Sequence, residues 1–428
     1  MQNYPRLFEP PKMSFFLLGM RGVGKSTLIR NHFKHAKIIN LLDEGLYQLY
    51  LSKPHAFAED LSSVKPGDWV IVDEAQRLPQ LLNEAHRFIE DKKIKFALLG
   101  SSARKLRRAG VNLLGGRAAQ KFLHPFLPQE LGKDFSMDRV LRNGSIPLIW
   151  MSEDPKEQLS AYLQLYLKEE IQAEAIVRNL PGFARFLPVA ALFHAQVVNT
   201  EAIGRDCGVA RSTVEGYLQI LEDTLIAFQI PAYENKLRVR QRAHPKLYWS
   251  DSGVVRAAKR QLEGLAVEEK GALFEGFIAQ ILKAYRELGK LDCDRISYWS
   301  AGKNSVEVDF ILERGKEIIG IEAKSGTEPD KKWFSGLSAL KDTGKLKRSI
   351  VVYAGKRKYR NSSGAEVLPF WILSKNWKVF NLLELFFKLK NHFLIDSFTG
   401  ADGKNKNGRM FNFINNPDRA KFVASQAF

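Results

Sequence analysis

MSFFLLGMRGVGKST, Met13–Thr27, decides the first part of the fold. Met13–Leu18 is a short apolar strand, and LIRNHF after Thr27 reads as a helix. Between them stands G-x-x-x-x-G-K-S/T in its strand-loop-helix context. Glycines at Gly19, Gly22 and Gly24 let the backbone, with Val23, wrap closely round a phosphate. Free N–H groups at the start of the helix point at an anion. Lys25 is placed to neutralise β- and γ-phosphates, Ser26 to ligate Mg²⁺, and Thr27 to line the same site. ATP or GTP is the implied ligand.

A site of this kind needs an apolar strand that ends in an acid. WVIVDEAQRL, Trp69–Leu78, supplies one. Asp73 is the candidate for holding Mg²⁺ through water. Glu74 is placed to orient or deprotonate an attacking water, an arrangement for hydrolysis. A third strand, KFALLGSS, ends in the hydroxyls of Ser101 and Ser102.

The surrounding composition sets limits. The chain has 428 residues and a net charge of +18, from 65 basic and 47 acidic side chains. Such a surplus favours polyanion partners, with nucleic acid foremost. No apolar run approaches a membrane span, the N-terminus has no signal pattern, and two distant cysteines fit no zinc spacing. A cytoplasmic protein with no membrane role is expected.

From Met151 the pattern turns helical. Leu159, Tyr162, Leu163, Tyr166 and Leu167 form one stripe, and GFARFLPVAALFHAQVV reads as another apolar helix. Both are expected to be packing without chemistry. Next, NTEAIGRDCGVARSTVEGYLQILEDTLI has helix-turn-helix character. Thr200 is the expected cap, Gly208 the turn, and Val214, Tyr217, Leu218 and Leu221 the buried stripe. Arg211, Ser212, Thr213 and Glu215 then face outward, where base or phosphate contacts are made. In KLRVRQR, the cations Lys236, Arg238, Arg240 and Arg242 alternate with other residues and share one face of a strand. That makes a basic wing suited to DNA phosphates, although a rigid lid or a dock for a protein partner fits the same pattern.

EVDFILERGKEIIGIEAKSG, Glu307–Gly326, reads as strands 306–312 and 318–324 joined by 313–316. A simple hairpin sets Glu307 opposite Glu322 and makes Asp309 and Glu322 diagonal neighbours. Two such carboxylates can hold one Mg²⁺, or Mn²⁺, with Lys324 beside it. Upstream, GALFEGFIAQIL places Glu275 on an apolar helix.

Two resemblances follow. GMRGVGKST, VIVDEAQRL, LLGSS, LLGGR and HPF look like a large group of bacterial and archaeal AAA-type ATPases. The resemblance implies that the LLGSS strand lies beside the Asp-Glu strand, with Ser101 or Ser102 touching the γ-phosphate. It implies that Arg117 contacts nucleotide phosphate in cis or in trans, with a plain surface arginine as the alternative. The order Glu275, Asp309, Glu322, Lys324 on helix, strand, strand resembles the PD-(D/E)XK nuclease core, with Val308 where that family has proline. It implies metal-dependent phosphodiester cleavage with Asp309 and Glu322 on the metal, Lys324 positioning water and Glu275 holding the geometry.

The expected fold class is therefore α/β. A P-loop ATPase domain of the AAA type with a parallel sheet spans residues 1–135, a helical linker or lid 136–198, and a winged helix-turn-helix 199–262. A nuclease-like α/β domain spans 263–390 and a polar tail 391–428. The expected function is ATP-driven action on DNA, with homo-oligomers allowed. The alternative is an ATP-dependent switch whose nuclease-like domain only docks partners.

Overall fold

The structure is a computed structural model that describes residues 4–102, 116–172, 179–233, 244–301, 306–342, 344 and 346–375. The chain divides after Phe380 into two units, of which only the first is described. The polar tail, the Arg104–Arg108 run and the wing residues Lys236, Arg238, Arg240 and Arg242 lie outside the described residues.

The N-terminal part alternates strands and helices: β1 (Phe15–Leu18), α1 (Lys25–His32), β2 (Lys37–Asn40), α2 (Glu44–Ser52), α3 (His55–Asp60), β3 (Trp69–Asp73), α4 (Leu81–Lys92), β4 (Lys95–Gly100) and β5 (Ala119–Phe122). The strands pair in the order β2-β3-β4-β1-β5, all parallel. Both faces are covered, so the strands carry near-continuous apolar runs. Phe16, Leu18, Val70, Val72, Phe96 and Leu98 face a core completed by Tyr50, Phe57, Leu82 and Phe88 from α2, α3 and α4. The alternate residues Phe15, Leu17, Ile71, Ala97 and Leu99 are buried on the opposite face. Within this order β4 stands between β1 and β3, so the end of β4 projects between the P-loop and the Asp-Glu pair.

The middle of the chain holds α5 (Pro128–Leu131), α6 (Met137–Asn143), α7 (Pro147–Trp150), α8 (Pro155–Leu165), a π-helical stretch (Tyr166–Gln172), α9 (Leu180–Leu192), β6 (Gln196–Val197), α10 (Thr200–Cys207), α11 (Arg211–Asp223), β7 (Ala227–Ile230), β8 (Lys246–Trp249) and α12 (Ser252–Ala258). The apolar helix read through Val198 stops at Leu192, and Gln196 and Val197 pair with β8 in a small β6-β8-β7 sheet. Asn199, not Thr200, caps α10 by accepting from the Ala202 N–H at 3.0 Å. Gly208 takes φ +67° and ends α10, and α11 buries Val214, Tyr217, Leu218 and Leu221.

Arg256 on α12 is fully buried. Its guanidinium donates to both oxygens of Glu269 at 3.2 Å and to the carbonyls of Arg142, Glu263 and Gly264 at 2.8, 2.9 and 3.0 Å. Such a charge is tolerable in the interior because each of its three nitrogens has a partner and a carboxylate stands beside it. It ties the middle helices to α13 (Val267–Glu287), the long helix that opens the C-terminal part.

There the elements are β9 (Arg295–Ser300), β10 (Glu307–Arg314), β11 (Glu317–Lys324), α14 (Ser335–Lys341), β12 (Leu346–Tyr353), β13 (Tyr359–Arg360), β14 (Glu366–Pro369) and α15 (Phe370–Lys375). They form a mixed sheet in the order β13-β14-β12-β11-β10-β9. β11 is central, which accounts for Ile318, Ile319 and Ile321 being buried on both faces. The β10–β11 turn is only Gly315–Lys316, with Gly315 at φ +55° and Arg314 opposite Glu317. This corrects the longer turn read from sequence. Phe310 pairs with Ile321, so Glu322 comes level with Asp309 and does not face Glu307. Against β9 the register shifts between Val308 and Ile311, a bulge at the position of Asp309 and Phe310. Among the described residues no helix is long and apolar enough to cross a membrane.

Candidate functional site

The P-loop wraps between β1 and α1. Gly22 and Gly24 take φ +79° and +87°, conformations that side chains with a Cβ resist. Gly19 packs so closely that a Cβ there would sit 2.4 Å from the Leu123 carbonyl oxygen. Lys25 is buried, and its Nζ donates to the carbonyls of Gly19 (2.7 Å) and Met20 (3.2 Å). Burial pushes this ammonium below its ordinary value, while Glu74, Glu170 and Asp73 pull the other way. Ser26 is half-buried and Thr27 exposed at the start of α1, and Val23 is buried beneath the loop.

The acids stand at the end of β3. Asp73 is buried. Its Oδ2 lies 3.4 Å from Arg30 on α1, and its Oδ1 has no hydrogen-bond partner among the described residues. Glu74 follows in the left-handed region at φ 55°, ψ 44°. A non-glycine residue held there costs about 1–3 kcal/mol, and such strain collects at functional sites. Gln76 donates to Glu74 Oε2 and to Ser101 Oγ, the latter at 3.1 Å. Ser101 Oγ is also 3.5 Å from Glu74 Oε2. Ser101 therefore faces the acids. Ser102 does not: its hydroxyl donates to the Asp223 carbonyl at the end of α11, 3.3 Å away.

Three side chains to which the sequence reading gave no role at this site complete it. Glu170, on the π-helical stretch, is buried and accepts from Ser101 Oγ at 3.1 Å, with Arg21 of the P-loop 3.8 Å away. Burial raises its carboxyl above the ordinary value, and Glu74 adds to that rise. Tyr166, one helical turn earlier, bonds Thr224 Oγ1 at 2.9 Å. Arg6 spans the back of the loop: it donates to the Val23 carbonyl (2.8 Å) and the His124 carbonyl (2.5 Å) and lies 3.1 Å from Glu130. The helical stripe assigned to packing alone thus reaches into the site. The available signal was Glu170, four residues past Tyr166 and so on its face.

Arg117 is not brought to the P-loop. It forms an ion pair with Glu90 on α4. At the helix pair, Arg211 and Ser212 are exposed and Thr213 half-buried. Arg211 pairs with Glu215 at 3.0 Å and Glu201 at 3.3 Å on the exposed surface.

The C-terminal candidates do meet. Asp309 Oδ2 accepts from the Ala323 N–H at 2.9 Å, and Lys324 Nζ lies 2.6 Å from Glu322 Oε1. Glu275 Oε1 accepts from the Tyr248 hydroxyl at 2.7 Å. A fifth group enters from β8. Lys246 Nζ lies 3.2 Å from Glu275, 3.0 Å from Glu307 and 3.5 Å from Asp309. Burial opposes its charge, but these three acids outweigh burial and hold the ammonium above its ordinary value. Burial and the Asp309 charge raise the carboxyls of Glu275 and Glu322.

This arrangement does not fit the expected Mg²⁺ or Mn²⁺ on Asp309 and Glu322. Asp309 Oδ1 already faces an ammonium. A divalent ion about 4 Å from that nitrogen meets about 8 kcal/mol of repulsion at an effective dielectric of about 20. Among the described residues, no group of three or more His, Cys, Asp or Glu could hold a metal ion.

Comparison with known proteins divides the chain similarly. Residues 12–132 match a family model described as an AAA domain. Residues 134–265 and 270–373 match two models, each described as a domain of unknown function. Uncharacterised proteins of Mycobacterium bovis and Mycobacterium tuberculosis are each 26% identical over 363 residues, covering 82% of this chain and 79% of the relative. Among solved structures, the ADP form of Aeropyrum pernix ORC2 is 14% identical and covers 51% of this chain and 81% of its own, at a TM-score of 0.28. Aeropyrum pernix ORC1 in complex with DNA is 15% identical and covers 64% and 89%, at a TM-score of 0.25. Scores this low stop short of a shared whole-chain fold. The N-terminal part of the chain thus carries a phosphate-loop geometry and matches an AAA domain over residues 12–132.

Proposed function

We propose that the chain is an ATP-hydrolysing switch that passes its nucleotide state to a DNA-contacting winged helix. The supporting observation is the adjacent pair at the end of β4. Ser101 bonds Glu170 and faces Glu74 inside the nucleotide site, while Ser102 bonds the last turn of α11. Movement of one hydroxyl to meet a γ-phosphate is then felt at the helix pair. In this reading the P-loop N–H groups and Lys25 bind the phosphates, and Glu74 orients the attacking water once Gln76 releases it. Ser26 and the unpartnered Asp73 Oδ1 fit the Mg²⁺ that accompanies the nucleotide and neutralises phosphate charge.

DNA contact rests on the net charge of +18 and on the exposed start of α11. Arg211 must leave Glu201 and Glu215 to take part, which makes Ser212, Thr213 and the basic wing the leading contacts. The C-terminal sheet is read as nuclease-like in fold, with Glu275, Asp309, Glu322 and Lys324 in that family's order.

The test is duplex binding by fluorescence anisotropy for the full chain in ADP and in a non-hydrolysable ATP analogue. The wild type changes affinity between the two states, and Lys25→Ala does not. Equal wild-type affinities refute the coupling, and no binding at low salt refutes the DNA assignment.

A further inference from the structure

Building on the ATP-binding reading above, on which this rests, we propose that Glu170 ranks ATP against ADP: its carboxylate holds the hydroxyl that a γ-phosphate needs, so the triphosphate must expel it and the diphosphate need not. A hydroxyl has one proton to donate. Ser101 Oγ gives it to Glu170 Oε2 at 3.1 Å, while accepting from Gln76 at 3.1 Å. Glu74 Oε2, at 3.5 Å, is the more distant acceptor. A γ-phosphate oxygen at neutral pH brings no proton of its own and meets Ser101 only by taking the same one. The other oxygen of Glu170, Oε1, lies 3.8 Å from the guanidinium of Arg21, a residue of the phosphate loop itself. A cation of the loop and the hydroxyl at the end of β4 thus close on an acid of the protein's own. ADP ends at its β-phosphate and makes no claim on Ser101.

Two further observations favour competition over sharing. The buried Lys25 ammonium already feels the charges of Glu74, Glu170 and Asp73. A γ-phosphate arriving at Lys25 therefore meets a like charge on Glu170, which is 6% exposed and has little water to screen it. The cavity beside the carboxylate, walled by Arg21, Ser101, Tyr162 and Tyr166, has a volume of about 10 Å³, room for one water at most. Glu170 cannot swing aside within it, so expulsion shifts the π-helical stretch Tyr166–Gln172 that carries it. Such wide turns are rare and gather at functional sites. The same stretch opens with Tyr166, whose hydroxyl bonds Thr224 just past α11. Displacing one carboxylate is thereby felt at the helix pair, and only the triphosphate does it.

Calorimetry on the full chain with ADP and with a non-hydrolysable ATP analogue, in Mg²⁺ and without DNA, reads the ratio of the two affinities. Glu170→Gln keeps an acceptor for Ser101 and removes the charge. The analogue then tightens by about tenfold more than ADP does, the scale of one hydrogen bond to a charged group. In a Ser101→Ala background, with the contested hydroxyl gone, that differential shrinks. Hydrogen exchange on the wild type needs no variant to fold: the analogue speeds exchange across Tyr166–Gln172, and ADP does not. Equal tightening of both nucleotides by Glu170→Gln, an undiminished differential in Ser101→Ala, or equal exchange with both nucleotides overturns the assignment of Glu170 and leaves ATP binding standing. A wild type that binds neither nucleotide overturns both.

Discussion

His194 makes the protein acid-sensitive at a defined joint. Its ring sits between α9 and β6. Nδ1 accepts from the Trp249 N–H on β8 at 3.1 Å, and the ring lies against Gly276 on α13, where a Cβ would stand 2.0 Å from Nε2. Burial first, and then the nearby Lys259 cation, together push its pKa from the ordinary 6.5 down to about 3. The folded state thus holds a neutral imidazole, while the unfolded chain takes a proton below pH 6.5. Stability from this residue is complete above pH 6.5 and is lost as pH falls from there toward 3. Two-state linkage with those values gives about 2 kcal/mol lost between pH 8 and pH 5. Other groups titrate over the same range, so the measurement is a difference. Urea unfolding of the wild type and of His194→Gln at both pH values isolates the term. His194→Gln is less stable at pH 8, and the gap narrows by about 2 kcal/mol at pH 5. Parallel pH dependences for the two proteins refute the assignment of a neutral buried ring.

Lys25→Ala abolishes nucleotide binding, whereas Glu74→Gln keeps it and slows turnover by about 100-fold, the lower range for a lost general base. A wild-type rate for Glu74→Gln in a phosphate-release assay removes Glu74 from the role of orienting water. Glu170→Gln keeps the Ser101 bond but removes the buried acid beside Lys25 and Glu74; nucleotide binds more tightly in calorimetry, and unchanged affinity shows that Glu170 does not oppose the phosphates. Gly276→Ala drives a methyl into the His194 ring and destabilises the full chain by about 1–3 kcal/mol by denaturant unfolding.

What was legible in the sequence was what lies close along the chain. The P-loop is nine consecutive residues, Gly19–Thr27, whose identities fix the loop's geometry. Strand β11 was evident because a central strand must be apolar on both faces. The β10–β11 register was harder, since a two-residue turn and a four-residue turn both suit ERGK. Lys246 was hidden by distance: its partners stand 29 and 61 residues away, at Glu275 and Glu307. The sequence did carry a trace of it, a lysine opening the otherwise apolar strand KLYW, all four residues of which are buried. Glu170 was missed because a stripe of Leu and Tyr reads as core, and nothing local says that its far end opens on a phosphate site. The pairing of Arg117 was likewise out of local view, because its acid, Glu90, comes from another helix.

The two bonds that Lys25 makes to its own loop also act as a filter on ligands. With Nζ engaged by Gly19 and Met20, the charge that should greet a nucleotide is turned inward. A ligand draws it out only by offering something better than two neutral carbonyls, which a negatively charged phosphate oxygen does. Adenosine and AMP have no β- or γ-phosphate to reach the ammonium, so they gain nothing from its release. Diphosphates and triphosphates do, and their observed affinity is reduced by the fraction of molecules whose lysine is already free. Selection by phosphate number is thus set before any base is read.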